Sequence, residues 1–431
     1  MSAIRALLDD GQEVLAADSR DTTELRKALA DLGVQGRLAE GTEVLEGVGR
    51  VVVSPGVSPQ EPVLEAAEAK GVPIISEVAL GLELLDPGVR VVGVTGTNGK
   101  TTVVDMIQAI LSEADVQHTV AGNSWRALTG CLEEVRNTGT LILEVSSFQL
   151  HYLPGAGFDV AALLNVRPDH LNWHRSFEEY VTDKLRVFDG QEAGDLALVS
   201  ASELFGLAAV RELLSETVVI GGEDTGVHDD ALVLRGAPLV TAAELKFAGK
   251  HNYENALFAA AVAERLGVSL PDIRDGLTSY RLKPHRMELV AEREGVLYVD
   301  DSKATNPAAT VAALESSKAP VVLILGGSKK ETEFAEILAH LSRCRAVICQ
   351  GEAGGVISEY LIGAGWGRIV YRARDLTHAV TISDRLTRPG DTVLLSPGCA
   401  SFDQFSGYDE RGRAFSRLVT GGREPRKVVR S

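Results

Sequence analysis

Cysteine, net positive charge and long apolar runs are all in short supply in this sequence. The four cysteines, Cys131, Cys344, Cys349 and Cys399, form no C-x-x-C pair and are too sparse to staple a chain of 431 residues, which points to a reducing compartment. A formal net charge of -17, with no Lys/Arg-rich block, excludes an extended nucleic-acid footprint. Any anionic ligand must then be held by a few local cations. No apolar run approaches the ~18 residues of a membrane span, and acidic residues interrupt the opening "MSAIRALLDDGQEV" where a signal peptide needs an apolar core. A cytoplasmic protein without membrane or nucleic-acid partners is expected.

What is present is alternation. Short apolar runs ending in Gly, Ser, Asn or Asp recur, each followed by a stretch with helical spacing, as in parallel βαβ units. The fold class is α/β. The expected strands are "EVLAADS" and "RVVVSPG"; then "RVVGVTG", "LILEVSS", "VAALLNV" and "LALVS"; then "VLYVDDS", "VVLILGG", "AVICQG" and "TVLLSPG". Turn and proline signals in "LLDPGVR" and "RLKPHRME" divide the chain into three domains, 1–87, 88–283 and 284–431.

The segment "VRVVGVTGTNGKTTVVDMIQAI" combines strand, glycine turn and helix. Gly96, Asn98 and Gly99 let backbone N–H groups turn inward towards an anion at a helix N-terminus, Lys100 would neutralise phosphates, and the Thr101 hydroxyl would ligate Mg²⁺. Thr97 and Thr102 complete the loop. Val94 occupies the place of the outer glycine in the G-x-x-x-x-G-K-[ST] pattern, so the loop is a variant. Val103, Val104, Ile107, Ile110 and Leu111 give the helix one buried stripe.

Two further features stand at strand ends. Glu144 interrupts the apolar strand "LILEVSSFQL", and a carboxylate there is costly unless paired or metal-bound. Asp169 and His170 follow the next strand. His170 and His174 lie four apart without the H-E-x-x-H pattern, so no zinc site is expected and His174 is read as a surface residue. Lys184, in "YVTDKLRVF", is by default a solvated helix lysine.

With these residues in view the chain resembles the Mur ligases, from about Asp18 to its C-terminus. "TGTNGKT" is shared by the wider superfamily, including folylpolyglutamate synthase. "LEVSSFQL", "NVRPDH", "HNYENALFA" and "PHRME" are more specific, and "DDSKATNPAAT" and "SPGCASFDQF" point to the D-glutamate-adding branch. The resemblance implies a Rossmann-like N-terminal domain that binds a UDP-linked precursor, a central P-loop ATPase-like parallel sheet, and a Rossmann-like C-terminal domain that binds the amino acid. The implied reaction is ATP-dependent amide formation between UDP-N-acetylmuramoyl-L-alanine and D-glutamate by way of an acyl phosphate. A monomer using ATP and two Mg²⁺ ions is expected.

Residue by residue, the resemblance assigns ATP and Mg²⁺ to Lys100 and Thr101, the metals to Glu144 and His170, and the adenine to Asn252. Lys184 is similar to the family's carbamylated lysine, an amine turned by CO₂ into an anionic metal ligand. Arg286 and Asp301 match positions that close over the nucleotide. Lys303, Thr305, Lys330, Ser401 and Tyr408 match those around D-glutamate; Lys329 is the neighbour that could replace Lys330, and Tyr408 stands where phenylalanine is familiar. Asn123 matches a residue near the precursor, with Trp125 expected to reshape that wall. Asp18, Ser19, Arg20 and Ser54 stand as the uridine contacts do. The family's opening strand and glycine turn have no counterpart before "SAIRALLDDG", which leads to the expectation of a start site assigned about 15–20 residues late and a first domain that binds the precursor weakly. The rival readings are another amide ligase of the superfamily, folylpolyglutamate synthase-like, and a nucleotide-gated binding protein with no covalent chemistry.

Overall fold

The structure is a computed structural model that describes residues 1–38, 41–171, 173–317, 320–329 and 334–421. Among these, no helix is long and apolar enough to cross a membrane. The chain divides into two compact units, one of residues 1–245 and 253–280, the other of residues 246–252 and 281–431.

The first unit begins with a helix, Ser2–Asp9, and two separate parallel strand pairs: β1 (Leu15–Asp18) with β2 (Gln35–Leu38), and β3 (Val51–Val53) with β4 (Ile74–Ser76). A six-stranded parallel sheet follows, formed by β5 (Arg90–Thr95), β6 (Thr119–Gly122), β7 (Thr140–Glu144), β8 (Val160–Leu163), β9 (Leu196–Ser200) and β10 (Glu216–Ile220). Its spatial order is β10-β9-β8-β5-β7-β6. The inner strands β7, β8 and β9 are buried at every position, as near-continuous apolar runs covered on both faces must be. An antiparallel meander, β11 (Gly226–His228), β12 (Ala231–Leu234) and β13 (Ala237–Thr241), completes the strands of this unit.

Three helices of this unit position the site: α1 (Lys100–Glu113), α2 (Ser147–His151) and α3 (Phe177–Leu185). Val103, Val104, Ile107, Ile110 and Leu111 of α1 are buried as their spacing requires, and so are Thr102 and Met106. In α2 the Ser146 hydroxyl accepts from the Gln149 N–H while Gln149 Oε1 receives the Ser146 N–H, a capping box that turns the chain sharply after β7.

The second unit is a six-stranded sheet in the order β14-β15-β19-β16-β17-β18. Its strands are β14 (Glu288–Arg293), β15 (Val296–Asp300), β16 (Val321–Leu325), β17 (Cys344–Cys349), β18 (Val370–Arg372) and β19 (Thr392–Leu395). Only β14 runs antiparallel to its neighbour. All ten strands expected from the sequence are present. The others are short or half-exposed, such as β2 and β18, and carry too little apolar signal to announce themselves.

Candidate active site

The loop between β5 and α1 is held from below by the segment after β8. The Thr97 N–H donates to the Asn165 carbonyl at 2.8 Å, the Asn98 N–H donates to Asn165 Oδ1 at 2.9 Å, and Asn165 Nδ2 returns a bond to the Asn98 carbonyl at 3.1 Å. Thr97 Oγ1 meets the Tyr180 hydroxyl at 2.8 Å and accepts from the Arg167 N–H at 2.9 Å. The loop is therefore fixed by side chains as well as by its own backbone. Gly96 and Gly99 sit at φ 157° and 90°, and a Cβ on Gly99 would stand 2.8 Å from Asn255 Oδ1. No other residue fits there without movement.

Two lysines meet at one carbonyl. Lys100 Nζ donates to the Gly96 oxygen at 2.6 Å and to the Thr97 oxygen at 3.1 Å, while Lys184 Nζ donates to the same Gly96 oxygen at 2.9 Å. Lys184 is 1% exposed and lies 4.8 Å from the centre of the Tyr180 ring. Burial first, then the neighbouring Lys100 charge, holds its amine well below the ordinary lysine range, against the opposing pull of Asp169 and Asp183. The expectation of a solvated helix lysine is overturned, because α3 turns this side chain inward beneath the loop.

Glu144, at the end of β7, is fully buried and well supplied with donors. Asn123 Nδ2 at 2.9 Å and Ser124 Oγ at 2.8 Å reach Oε1, and the Trp125 indole N–H reaches Oε2 at 3.2 Å. Trp125 thus helps to satisfy the carboxylate whose burial would otherwise be costly. The Thr101 hydroxyl lies 3.4 Å from the same Ser124 Oγ, so Thr101 and Glu144 are one bridging atom apart.

His170 is exposed, at a φ of 56°, with its ring 4.9 Å from that of Phe148 and its Nε2 3.6 Å from Asp169 Oδ2. His174 is the opposite of a surface residue. It is 1% exposed, with Nε2 2.9 Å from Ser147 Oγ and Nδ1 3.2 Å from Asp183 Oδ2, and Asp183 also meets His151 Nδ1 at 2.8 Å. Burial pushes the Asp183 carboxyl up, but the two histidine bonds outweigh it and hold it below its usual range. The sequence reading missed this network, since the partners come from three separate segments. At the front of the chain, Asp18 and Arg20 pair with each other at 3.1 Å, and Ser19 and Ser54 are exposed.

In the second unit Asp301 is buried, accepting from Ser396 Oγ at 2.8 Å and the Met287 N–H at 3.2 Å, and burial raises its carboxyl to about 7. Arg286 is flanked by His285 and Met287, both at positive φ, of 66° and 49°; strain of this kind gathers at functional turns. Lys303 Nζ lies 4.2 Å from the centre of the Tyr408 ring, and Ser401 is buried close by in sequence to the residues that anchor this region. Thr305 is half-buried before the helix Pro307–Ser316. Asn252 is buried and donates to the Ala248 carbonyl at 2.8 Å. Lys330 lies outside the described residues. Among those described, the one group of three His, Cys, Asp or Glu side chains whose ligand atoms fall within 4.8 Å of one another is His285, Glu288 and Asp300, and neither Glu144 nor His170 belongs to it.

Strand, fixed glycine loop and helix, with two lysines converging on one loop carbonyl, place the protein in a recognisable class of α/β folds. Profiles of known families sharpen this: the Mur ligase MurD-like N-terminal domain matches residues 1–76, the Mur ligase middle domain residues 94–263, and the Mur ligase glutamate ligase domain residues 285–399. A UDP-N-acetylmuramoylalanine--D-glutamate ligase of Rubrobacter xylanophilus is 63% identical over 426 residues, covering 99% of this chain and 97% of its own. The ligase of the same name from Desulfitobacterium hafniense strain Y51 is 34% identical over 435 residues, covering 97% and 94%. Among solved structures, MurF from Acinetobacter baumannii shares the fold with a TM-score of 0.64 at 16% identity over 96% of this chain and 98% of its own. UDP-N-acetylmuramate-alanine ligase from Thermotoga maritima does so with a TM-score of 0.58 at 17% identity, covering 98% and 96%. The chain belongs to the Mur ligase family.

Proposed function

We propose that this protein is an ATP-dependent ligase of the cytoplasm that joins D-glutamate to UDP-N-acetylmuramoyl-L-alanine, releasing ADP and phosphate in the synthesis of peptidoglycan precursors. The observation that carries this reading is the convergence of Lys100 and Lys184 beneath a rigid glycine loop, in a chain 63% identical to a ligase of that name. A free carboxylate does not react with an amine at neutral pH. The precursor's L-alanine carboxylate attacks the γ-phosphorus of ATP, the bond to the ADP oxygen breaks, and the amine of D-glutamate then attacks the carbonyl carbon of the acyl phosphate. Loss of a proton from nitrogen and departure of phosphate leave the amide.

The chain's own contribution is chiefly electrostatic. The loop N–H groups at the start of α1 face an anion, and Lys100 offsets charge on the transferring phosphoryl group. Mg²⁺ suits the pair of oxygen donors Thr101 and Glu144, already linked through Ser124 Oγ at 3.4 and 2.8 Å, and when bound it supplies further neutralisation of phosphate charge. His170 and a carbamate on Lys184 would serve a second ion. Lys303, Thr305, Lys330, Ser401 and Tyr408 are proposed to receive D-glutamate, Asn252, Arg286 and Asp301 the nucleotide, and Asp18, Ser19, Arg20, Ser54 and Asn123 the precursor. Three domains divided near residues 87 and 283 remain our proposal for the organisation.

Phosphate release measured with ATP, UDP-N-acetylmuramoyl-L-alanine and either D- or L-glutamate tests the assignment. Release with D-glutamate alone is expected. Release with L-glutamate alone would move the chain to another branch of the superfamily, and release with neither would leave a nucleotide-gated binder.

A further inference from the structure

The largest fully buried side chain described in the molecule is a charged one, Arg411, on the helix Tyr408–Thr420. It is 1% exposed, and among the described residues no carboxylate comes within ion-pair distance of it, although Asp403 and Asp300 lie near enough to favour its charge. Its donors go elsewhere: Nε to Ser302 Oγ at 2.9 Å, Nη2 to the Ser302 carbonyl at 2.9 Å, and Nη1 to the Ala400 carbonyl at 3.2 Å. Burying a guanidinium against neutral acceptors is expensive. Burial lowers it to about 10 against the opposing pull of Asp403 and Asp300, so the charge persists at neutral pH.

Its partners have one thing in common. Ser302 precedes Lys303, Ala400 precedes Ser401, and Ser302 Oγ, while accepting from Arg411, donates to the Tyr408 carbonyl at 2.7 Å. A single guanidinium therefore ties together the three backbone segments that carry Lys303, Ser401 and Tyr408. The packing around it is tight, since a Cβ on Gly327 would lie 2.2 Å from the Ala400 oxygen and 3.0 Å from Arg411 Nη1.

We propose that Arg411 is a positioning residue of the amino-acid site, fixing Lys303, Ser401 and Tyr408 relative to one another. The inference deepens the D-glutamate reading and rests on it. A planar fork suits this role, because it holds two loops at set angles where an ammonium would supply only a point charge.

The test is D-glutamate saturation, followed by phosphate release, for the wild type and for Arg411→Met, Arg411→Lys and Ser302→Ala, with the melting temperature recorded for each. Arg411→Met is expected to raise the KM for D-glutamate roughly tenfold, the size of one lost charge-assisted contact, with kcat and the KM for ATP moving less than about twofold. Arg411→Lys, which keeps the charge, and Ser302→Ala, which keeps the guanidinium, should each give a smaller rise in the same constant. If Arg411→Met does not fold, these two milder variants decide. An unchanged KM for D-glutamate in them, with only a fall in melting temperature, would overturn the proposal and leave Arg411 a structural residue. A wild type with no D-glutamate-dependent release would refute the functional reading itself, a separate result.

Discussion

At the scale of single residues, chemistry depends on where the backbone puts a side chain. Lys184 has the sequence context of any helix lysine, yet α3 buries it against Tyr180 with Lys100 as its neighbour at the Gly96 carbonyl. Burial and then the Lys100 charge hold its amine well below the ordinary lysine range, which favours the neutral, nucleophilic form. The nitrogen lone pair can attack the carbon of CO₂, forming an N–C bond and releasing a proton, to give a carbamate. Lys184→Ala is therefore expected to lose nearly all activity, about a hundredfold or more in kcat for a lost metal-ligand anion, and to regain part of it with acetate. A carbamate resonance on the protein in ¹³C-bicarbonate, absent from the variant, is the second expectation. Full activity of the alanine variant would return Lys184 to a packing role.

Side-chain contacts that the sequence does not announce have a common cause. His174 has its partners Ser147 and Asp183 27 and 9 positions away, and the Trp125 bond to Glu144, 19 positions away, carries no local signal either. Arg411 gave no signal, because a buried arginine and a surface arginine look alike in one sequence. Lys100 and Glu144 stood out because each breaks a local rule: a lysine closing a glycine turn, a carboxylate inside an apolar strand.

At the scale of elements, the strands that end at the site were legible for the same physical reason that places them there. Inner parallel strands are buried on both faces and so read as apolar runs, and polar residues appear only where the run ends at the ligand crevice. What the pattern did not show is how the loop after β5 is held. Asn165 makes reciprocal bonds with the Asn98 backbone at 2.9 and 3.1 Å, and its own carbonyl accepts from Thr97 at 2.8 Å. Asn165→Ala removes the two side-chain bonds, worth about 1 kcal/mol each, so the KM for ATP should rise by up to about thirtyfold while that for D-glutamate stays level. Asn165→Asp keeps the acceptor for the Asn98 N–H but sets a carboxylate beside the triphosphate, and it should be the worse variant. Steady-state kinetics with each substrate varied in turn check both, and an unchanged KM for ATP in the alanine variant would show that the backbone alone holds the loop.

At the scale of the whole molecule, turn signals suggest three domains while the described structure resolves into two compact units. The difference lies in the region before residue 88. Ile75, Val78, Ala79 and Leu80 belong to the same apolar cluster as Leu128, Leu141, Val145 and Leu150 of the central part. Buried Glu77 accepts from the Thr129 N–H at 2.7 Å and its hydroxyl at 2.6 Å, and the Trp173 indole donates to the Val57 carbonyl at 3.1 Å. An Asp-Pro-Gly turn marks a bend in the chain; it carries no information on whether the two sides share a core. A region that shares buried apolar side chains with its neighbour melts with it. Scanning calorimetry should therefore show two transitions, the first unit melting as one body and the second unit as another. ADP should raise chiefly the transition of the first unit, which holds the glycine loop. D-Glutamate at about a hundred times its dissociation constant should raise only the other, by some ~5–10 °C for the roughly 2.7 kcal/mol that saturation supplies. A third transition at low temperature, unmoved by either ligand and lost when residues 1–87 are removed, would show instead that the N-terminal domain melts on its own despite the shared apolar cluster.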